Sequence, residues 1–240
     1  MGTLTKTRFF PWITLILGMI GFALRSWLYS DTKNGLLPAD HPAGTICFIL
    51  LALTLAACWL AVRNVSSHSD HMEQFPRSVA AGVGMLLAAV GIGISAFTLQ
   101  SIGFFRILVP VVGVIAAVAL ALTGLFRLKG QRPFWILHCI VAVYLMVRTM
   151  ACCSTWSAQT QVQLYFFQLL ACCFLMLAGY YRAAMGILGG RPALYALFSQ
   201  AALFCCCLCC VGGDWLFYLS AGIWMAADFC VLTGGERSAQ

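Results

Sequence analysis

Residues 102–126 of the chain read IGFFRILVPVVGVIAAVALALTGLF and contain a single charged residue, Arg106. A helix of about 20 mostly apolar residues crosses the roughly 30 Å hydrocarbon core of a bilayer, so this stretch is long enough to span a membrane. Further stretches of the same character lie on both sides of it. We therefore predict eight transmembrane helices, at Phe9–Tyr29, Gly44–Val62, Ser78–Thr98, Ile102–Phe126, Pro133–Cys153, Gln161–Ala183, Pro192–Val211 and Trp215–Thr233.

The composition of the whole chain supports an integral membrane protein. Of its 240 residues, 62% are hydrophobic and 9% are charged. A soluble domain has roughly a quarter of its residues charged, so this chain cannot cover a water-exposed surface. The same excess of apolar residues excludes a disordered chain. Its 13 cysteines are too sparse for a secreted disulfide scaffold.

The distribution of Lys and Arg predicts the orientation, because cytoplasmic connections carry an excess of both residues. With the N-terminus inside, 10 of the 14 basic residues fall on the cytoplasmic side. The even number of spans then places both termini in the cytoplasm. We expect a multi-pass protein of the plasma (inner) membrane whose partner is the lipid bilayer. The same bias explains the net charge of +7 without a nucleic-acid partner.

The two halves of the chain carry similar features in the same order. Trp12 precedes Arg25 by 13 residues, and Trp135 precedes Arg148 by 13 residues. The fourth and eighth spans both end in Leu-Thr-Gly followed by an arginine. Apolar segments also align by chance, so a duplication is a hypothesis. It predicts two parallel four-helix repeats, residues 1–130 and 131–240, related by an axis along the membrane normal.

Arg25 and Arg148 are the main candidate site residues, since both interrupt apolar spans toward the predicted outer face. Arginines at such depths either face the bundle interior or extend to the lipid headgroups. Arg25 continues a stripe of small residues with Gly18 and Gly21, which favours close helix contact and an inward direction. Because two guanidiniums need a counter-anion, we predict a site for a small anionic solute. Its expected residues are Arg25, Arg148, Tyr144, Tyr165 and Gln168.

Two acidic residues lie at the start of the last predicted span or within it. Asp214 precedes it on the outer side and is an internal candidate to neutralise the arginines. Asp228 lies in its inner half, with His138 and Gln200 as the nearest polar candidates in depth. Buried carboxylates and histidines can exchange protons near neutral pH, so Asp228 and His138 are candidate proton-coupling residues. The alternative is an Asp228 that only joins neighbouring helices through hydrogen bonds.

Metal and catalytic signatures are weak in this sequence. The segment Cys205–Cys210 contains two overlapping C-x-x-C patterns, but it lies inside an apolar span, where thiols are inert packing residues. The polar run His68–Glu73 is interpreted as a solvated loop. The sequence has no H-E-x-x-H, G-x-S-x-G, Walker loop or dinucleotide fingerprint. We therefore expect no metal and no cofactor, and we find no catalytic motif.

Three functions remain open at this stage. The first is a permease, or a component of one, for a small anionic solute. The second is a non-catalytic accessory subunit or sensor that works through helix contacts with a membrane protein partner or a second copy. The third is a membrane-embedded redox or transferase enzyme.

Overall fold

The computed structural model describes residues 10–31, 41–62, 75, 77–156, 165–188 and 191–232, and this part of the chain is all helical. Each predicted span overlaps one helix. The helices are α1 (Phe10–Ser30), α2 (Pro42–Val62), α3 (Val79–Thr98), α4 (Phe105–Lys129), α5 (Trp135–Trp156), α6 (Phe166–Leu188), α7 (Pro192–Cys209) and α8 (Trp215–Leu232). Seven of them, α1 to α7, are long and apolar enough to cross a membrane. The prediction of a helical multi-span membrane protein is confirmed at this level.

Local sequence fixes several helix ends. The Ser78 side chain accepts a hydrogen bond from the backbone N–H of Ala81 at 3.3 Å and so caps α3. Gly130 follows α4 with a φ of 69°, a left-handed conformation that glycine adopts without strain. Pro192 begins α7, where its missing N–H leaves no helical hydrogen bond unmade.

Consecutive helices run in opposite directions and define two ends of the bundle. Arg148 near the end of α5 lies 3.5 Å from Asp214 before α8, and we name this the Asp214 end. At the opposite end, the Arg77 Nε before α3 donates a hydrogen bond to the Leu128 carbonyl oxygen near the end of α4. We name this the Asp228 end, after the acid in the second half of α8. The sequence predicts that the Asp228 end is cytoplasmic.

Six helices form a closed series of contacts. Each of α3, α4, α5, α6, α7 and α8 packs on the next, and α8 packs back on α3. The helices α1 and α2 pack on each other and against α7, outside this series. The contacts therefore describe a six-helix ring with a two-helix attachment.

The glycines of α3 allow unusually close packing, as their sequence pattern indicates. A Cβ atom at Gly82 would lie 2.9 Å from the carbonyl oxygen of Gly124 on α4. At Gly91, on the side of α3 that faces α8, a Cβ would overlap the Ser220 hydroxyl. The helices α4 and α8 approach α3 this closely because these positions lack side chains.

The helix contacts do not follow the predicted division into residues 1–130 and 131–240. In a parallel repeat the packing of α6 on α7 would have a counterpart between α2 and α3, and the packing of α1 on α7 a counterpart between α5 and α3. Neither counterpart is among the main contacts of the described helices. The duplication stays a prediction that these contacts do not support.

Candidate functional site

Arg148 is enclosed by the bundle at the Asp214 end. Its side chain on α5 has no appreciable exposure, and its guanidinium stacks on the ring of Phe217 at 3.6 Å from the ring centroid. Nη1 donates a hydrogen bond to the Tyr144 hydroxyl one turn earlier, at 3.4 Å. Nη2 lies 3.5 Å from a carboxylate oxygen of Asp214, whose side chain is 19% exposed. Neither Nε nor Nη2 donates a hydrogen bond within the described residues.

Arg25 on α1 also points into the protein. It is 3% exposed, and Nη1 donates a long hydrogen bond of 3.8 Å to the thiol sulfur of Cys209 on α7. The ring of Phe167 on α6 lies 5.5 Å from the guanidinium carbon. The small-residue stripe explains this direction, because Gly18 and Gly21 bring α1 against α7. Both predicted site arginines are therefore buried in the bundle and do not extend to the lipid headgroups.

Tyr218 on α8 connects the surroundings of the two arginines. It interacts electrostatically with both Arg25 and Arg148. Its hydroxyl lies 3.8 Å from the thiol sulfur of Cys172 on α6. Tyr218 was not among the predicted site residues, although it follows Asp214 by four residues and so lies about one helical turn after it on the same side. The two guanidiniums thus lie near a common tyrosine at one end of the bundle.

The other predicted residues of this site occupy different surroundings. Tyr144 lies beside Arg148 and is fully buried. Gln168 is buried in the first turn of α6, and its amide nitrogen lies close to Gly212 in the turn between α7 and α8. Tyr165 precedes α6 and is half-buried. Gln168 and Tyr165 are at the Asp214 end, but they are not among the partners of the Arg148 guanidinium described above.

Asp228 is surrounded by residues that the sequence analysis did not assign to it. Its Oδ2 accepts hydrogen bonds from the Tyr195 hydroxyl at 2.7 Å and from the Arg182 Nε at 2.9 Å. Its Oδ1 lies 3.9 Å from Nη2 of Arg127. We refer to Arg127, Arg182, Tyr195, Asp228 and Phe75 together as the inner arginine cluster.

Phe75 holds the two arginines of this cluster together. Its buried ring lies 3.5 Å from the guanidinium carbon of Arg182 and 5.0 Å from that of Arg127. Cation–π contacts of this kind are strongest where water is excluded. Both arginines are among the 10 basic residues that the sequence assigns to the cytoplasmic side, yet both side chains are buried.

The residues expected near Asp228 are not its partners. His138 is buried near the start of α5, and it is not among the hydrogen-bond or ion-pair partners of Asp228. Gln200 is buried on α7, and neither atom of its amide has a hydrogen-bond partner within the described residues. Proton coupling through Asp228 and His138 stays a prediction, and the geometry supplies no direct link between them.

The cysteines of the described chain are free thiols, and most are packed in the bundle. Cys205, Cys206 and Cys209 on α7 are buried, in line with their interpretation as packing residues. The described residues contain no group of three or more His, Cys, Asp or Glu side chains that could hold a metal ion. The run His68–Glu73 lies outside the described residues.

The residues around Asp214 and those of the inner arginine cluster are chemically suited to binding an anion. Before α8, Asp214 faces the buried Arg148. In the second half of α8, Asp228 faces the buried Arg127 and Arg182. An aromatic ring contacts the guanidiniums in both places. Guanidiniums bind carboxylates and phosphates through paired hydrogen bonds, and a dry environment strengthens each of them. No known protein family, characterised protein or solved structure matches this chain, so the functional assignment depends on these residues alone.

Proposed function

We propose that the protein is a membrane permease, or the substrate-binding component of one, for a small anionic solute. The solute binds at the Asp214 end between Arg148 and Arg25. One observation carries the proposal: the guanidinium of Arg148 is completely buried, and two of its nitrogens donate no hydrogen bond to any described residue. A buried arginine with unused donors is costly unless an anion meets it.

Asp214 is the group that the solute displaces from Arg148. Its carboxylate lies 3.5 Å from Nη2 of Arg148 but accepts no hydrogen bond from it, and part of its side chain reaches the surface. In the absence of solute, Asp214 neutralises Arg148 at this distance. An incoming carboxylate or phosphate competes with Asp214 and makes the shorter hydrogen bonds that Arg148 has free. Such competition gives binding that is reversible, as transport requires.

The stacking of Arg148 on Phe217 favours this mode of binding. The ring covers one face of the guanidinium and leaves its edge, which carries the donors, for a ligand. Tyr144 holds Nη1 in place from the same helix. The arginine is therefore oriented before the solute arrives, which lowers the entropic cost of binding.

We also propose the orientation that the charges favour, with both termini in the cytoplasm of a plasma (inner) membrane protein. The excess of basic residues at the Asp228 end supports it. The Asp214 end then faces outward, and the solute enters from outside. Reporter fusions at the C-terminus test this orientation: a fluorescent cytoplasmic fusion supports it, and activity of a secreted phosphatase fusion contradicts it. The duplication of residues 1–130 and 131–240 is compatible with this proposal but is not needed for it.

Flux in proteoliposomes tests the function. The purified protein is reconstituted, and uptake of radiolabelled acetate, succinate and phosphate is measured for the wild type, Arg148→Gln and Arg106→Gln. Arg106 is an exposed arginine at the same end, so its variant controls for the loss of one positive charge. We expect anion uptake by the wild type and by Arg106→Gln, and a loss of about tenfold or more for Arg148→Gln.

Two outcomes contradict the proposal. Equal uptake by all three proteins would show that Arg148 does not bind the solute. A folded wild type that carries none of these anions, and that co-purifies with another membrane protein, favours the accessory-subunit alternative. Circular dichroism and gel filtration establish that Arg148→Gln is folded before its flux is compared.

A further inference from the structure

One arginine of the inner arginine cluster has side-chain donors that make no hydrogen bond within the described residues. Arg127 lies in the last turn of α4 and is 5% exposed. Its Nε and Nη2 atoms are buried and donate no hydrogen bond within the described residues. A buried guanidinium in this state lacks the partners that normally compensate its removal from water.

Asp228 does not supply those partners. Its Oδ2 atom is occupied by Tyr195 and by the Nε of Arg182. Its Oδ1 atom is 3.9 Å from Arg127, beyond hydrogen-bonding distance. Phe75 contacts Arg127 through its ring face and offers no acceptor oxygen. The cluster thus binds one arginine to the carboxylate and holds the second beside it with free donors.

The approach to Arg127 is strongly basic. Four further cations lie at the same end of the bundle and are exposed: Arg77, Lys129, Arg132 and Arg191. Arg77 lies directly beside the end of α4, because its Nε donates to the Leu128 carbonyl oxygen at 3.0 Å. Within the described residues, Asp228 is the one acidic residue at this end. Surface cations of this kind attract anions toward a buried site.

From these observations we propose that the inner arginine cluster is a second anion site, and that it binds a phosphate group through Arg127. A phosphate has several acceptor oxygens, so it can receive both free donors of Arg127 and still face the basic rim. The phosphate belongs either to an anionic lipid headgroup or to a soluble phosphate compound. The site is separate from the proposed solute site at Arg148 and does not depend on it.

Thermal stability in the presence of phosphate tests this site. Purified protein in a neutral detergent is heated with increasing inorganic phosphate, with chloride replaced to keep the ionic strength constant. In a second arm, the protein is heated in nanodiscs of phosphatidylcholine with or without phosphatidic acid. A ligand at 100-fold its Kd raises the Tm of a chain of this size by about 5 °C or more.

The variants are Arg127→Gln and, as a matched control, Arg191→Gln. We expect the wild type and the control to gain stability with phosphate or with phosphatidic acid, and Arg127→Gln to lose the part of that gain that comes from the inner arginine cluster. If Arg127→Gln does not fold, Arg127→Lys replaces it, and we expect weaker binding because lysine lacks the paired donors. In an Arg148→Gln background, phosphate cannot act through the proposed solute site. There we expect the gain to remain and the additional change Arg127→Gln to abolish it, which separates this test from that of the solute site.

Each result has one meaning for the proposal. A gain with inorganic phosphate identifies a soluble ligand, and a gain only with phosphatidic acid identifies a lipid headgroup. The absence of any gain in the wild type overturns the site. An equal gain in Arg127→Gln, or in Arg127→Lys where that variant is used, overturns it as well.

Discussion

Replacement of Asp228 by asparagine tests whether this acid is an ionised partner of the arginines or a neutral structural group. Its carboxylate has no exposed surface and accepts hydrogen bonds at 2.7 Å and 2.9 Å from Tyr195 and Arg182. The substitution keeps the shape of the side chain but removes the charge that Arg182 and Arg127 face. Loss of one partner from a buried ion pair costs about 3–5 kcal/mol, which includes the cost of leaving the cations uncompensated. We expect Asp228→Asn to lower the free energy of unfolding by that amount.

Unfolding in mixed micelles with increasing SDS, followed by circular dichroism, measures this free energy. Asp31→Asn is the control, since Asp31 is an exposed acid whose carboxylate lies 3.3 Å from a ring nitrogen of His41. An exposed pair contributes about 1 kcal/mol or less. A loss below about 1 kcal/mol for Asp228→Asn would refute the reasoning, because it would mean that Asp228 is neutral in the folded protein.

Three further predictions concern other parts of the bundle. Asp214→Asn removes the carboxylate that competes with the solute for Arg148, so it should tighten the binding of acetate by up to about fivefold. Weaker binding of acetate in equilibrium dialysis would contradict the proposed displacement of Asp214 by the solute. Gly91→Val places atoms where the Ser220 hydroxyl lies, so it should lower the free energy of unfolding by about 1–3 kcal/mol, and an unchanged SDS midpoint would disprove the close contact. Burial raises the pKa of the Cys210 thiol, which follows α7, to about 11, so it is almost fully protonated at neutral pH. Its maleimide labelling, measured by peptide mass spectrometry, should rise about tenfold per pH unit above neutrality, and a pH-independent rate would contradict this environment.

The helices were largely predictable because apolar length determines them. The predicted span Ser78–Thr98 corresponds to α3 at Val79–Thr98, and Trp215–Thr233 to α8 at Trp215–Leu232. A bilayer core sets a minimum length for each apolar segment, and short polar connections separate the segments. The order of helices around the ring was not predictable, because it depends on which helix faces fit together.

Sequence spacing favoured an inward direction for Arg25, but it left Arg148 open between the bundle interior and the lipid headgroups. Gly18 and Gly21 precede Arg25 on one face of α1, and that face packs on α7. Tyr144 precedes Arg148 by four residues, and the two side chains are in contact. Helical periodicity places such residues on one side, and the small or polar members identify the side that faces protein.

The inner arginine cluster was missed because its arginines resemble residues that set topology. Arg127 lies at the end of a span, where positive charge is expected on the cytoplasmic side. A signal was available: Leu120, Thr123 and Gly124 share a helical face with Arg127, and this face is buried. The partnership of Arg182 with Asp228 joins residues 46 positions apart on different helices. Such a pairing depends on tertiary packing and cannot be read from one sequence.

Direct anion binding to the purified protein tests the central claim that Arg148 receives a solute. Equilibrium dialysis with radiolabelled acetate and succinate is carried out on the wild type, Arg148→Gln and Arg106→Gln in detergent; phosphate is left out because the inner arginine cluster is itself proposed to bind it. The account predicts saturable binding of at least one of these anions to the wild type and to Arg106→Gln. It predicts an affinity at least about tenfold lower for folded Arg148→Gln, since charge-assisted hydrogen bonds are lost. Equal affinity in all three proteins, or no saturable binding to the wild type, would contradict it.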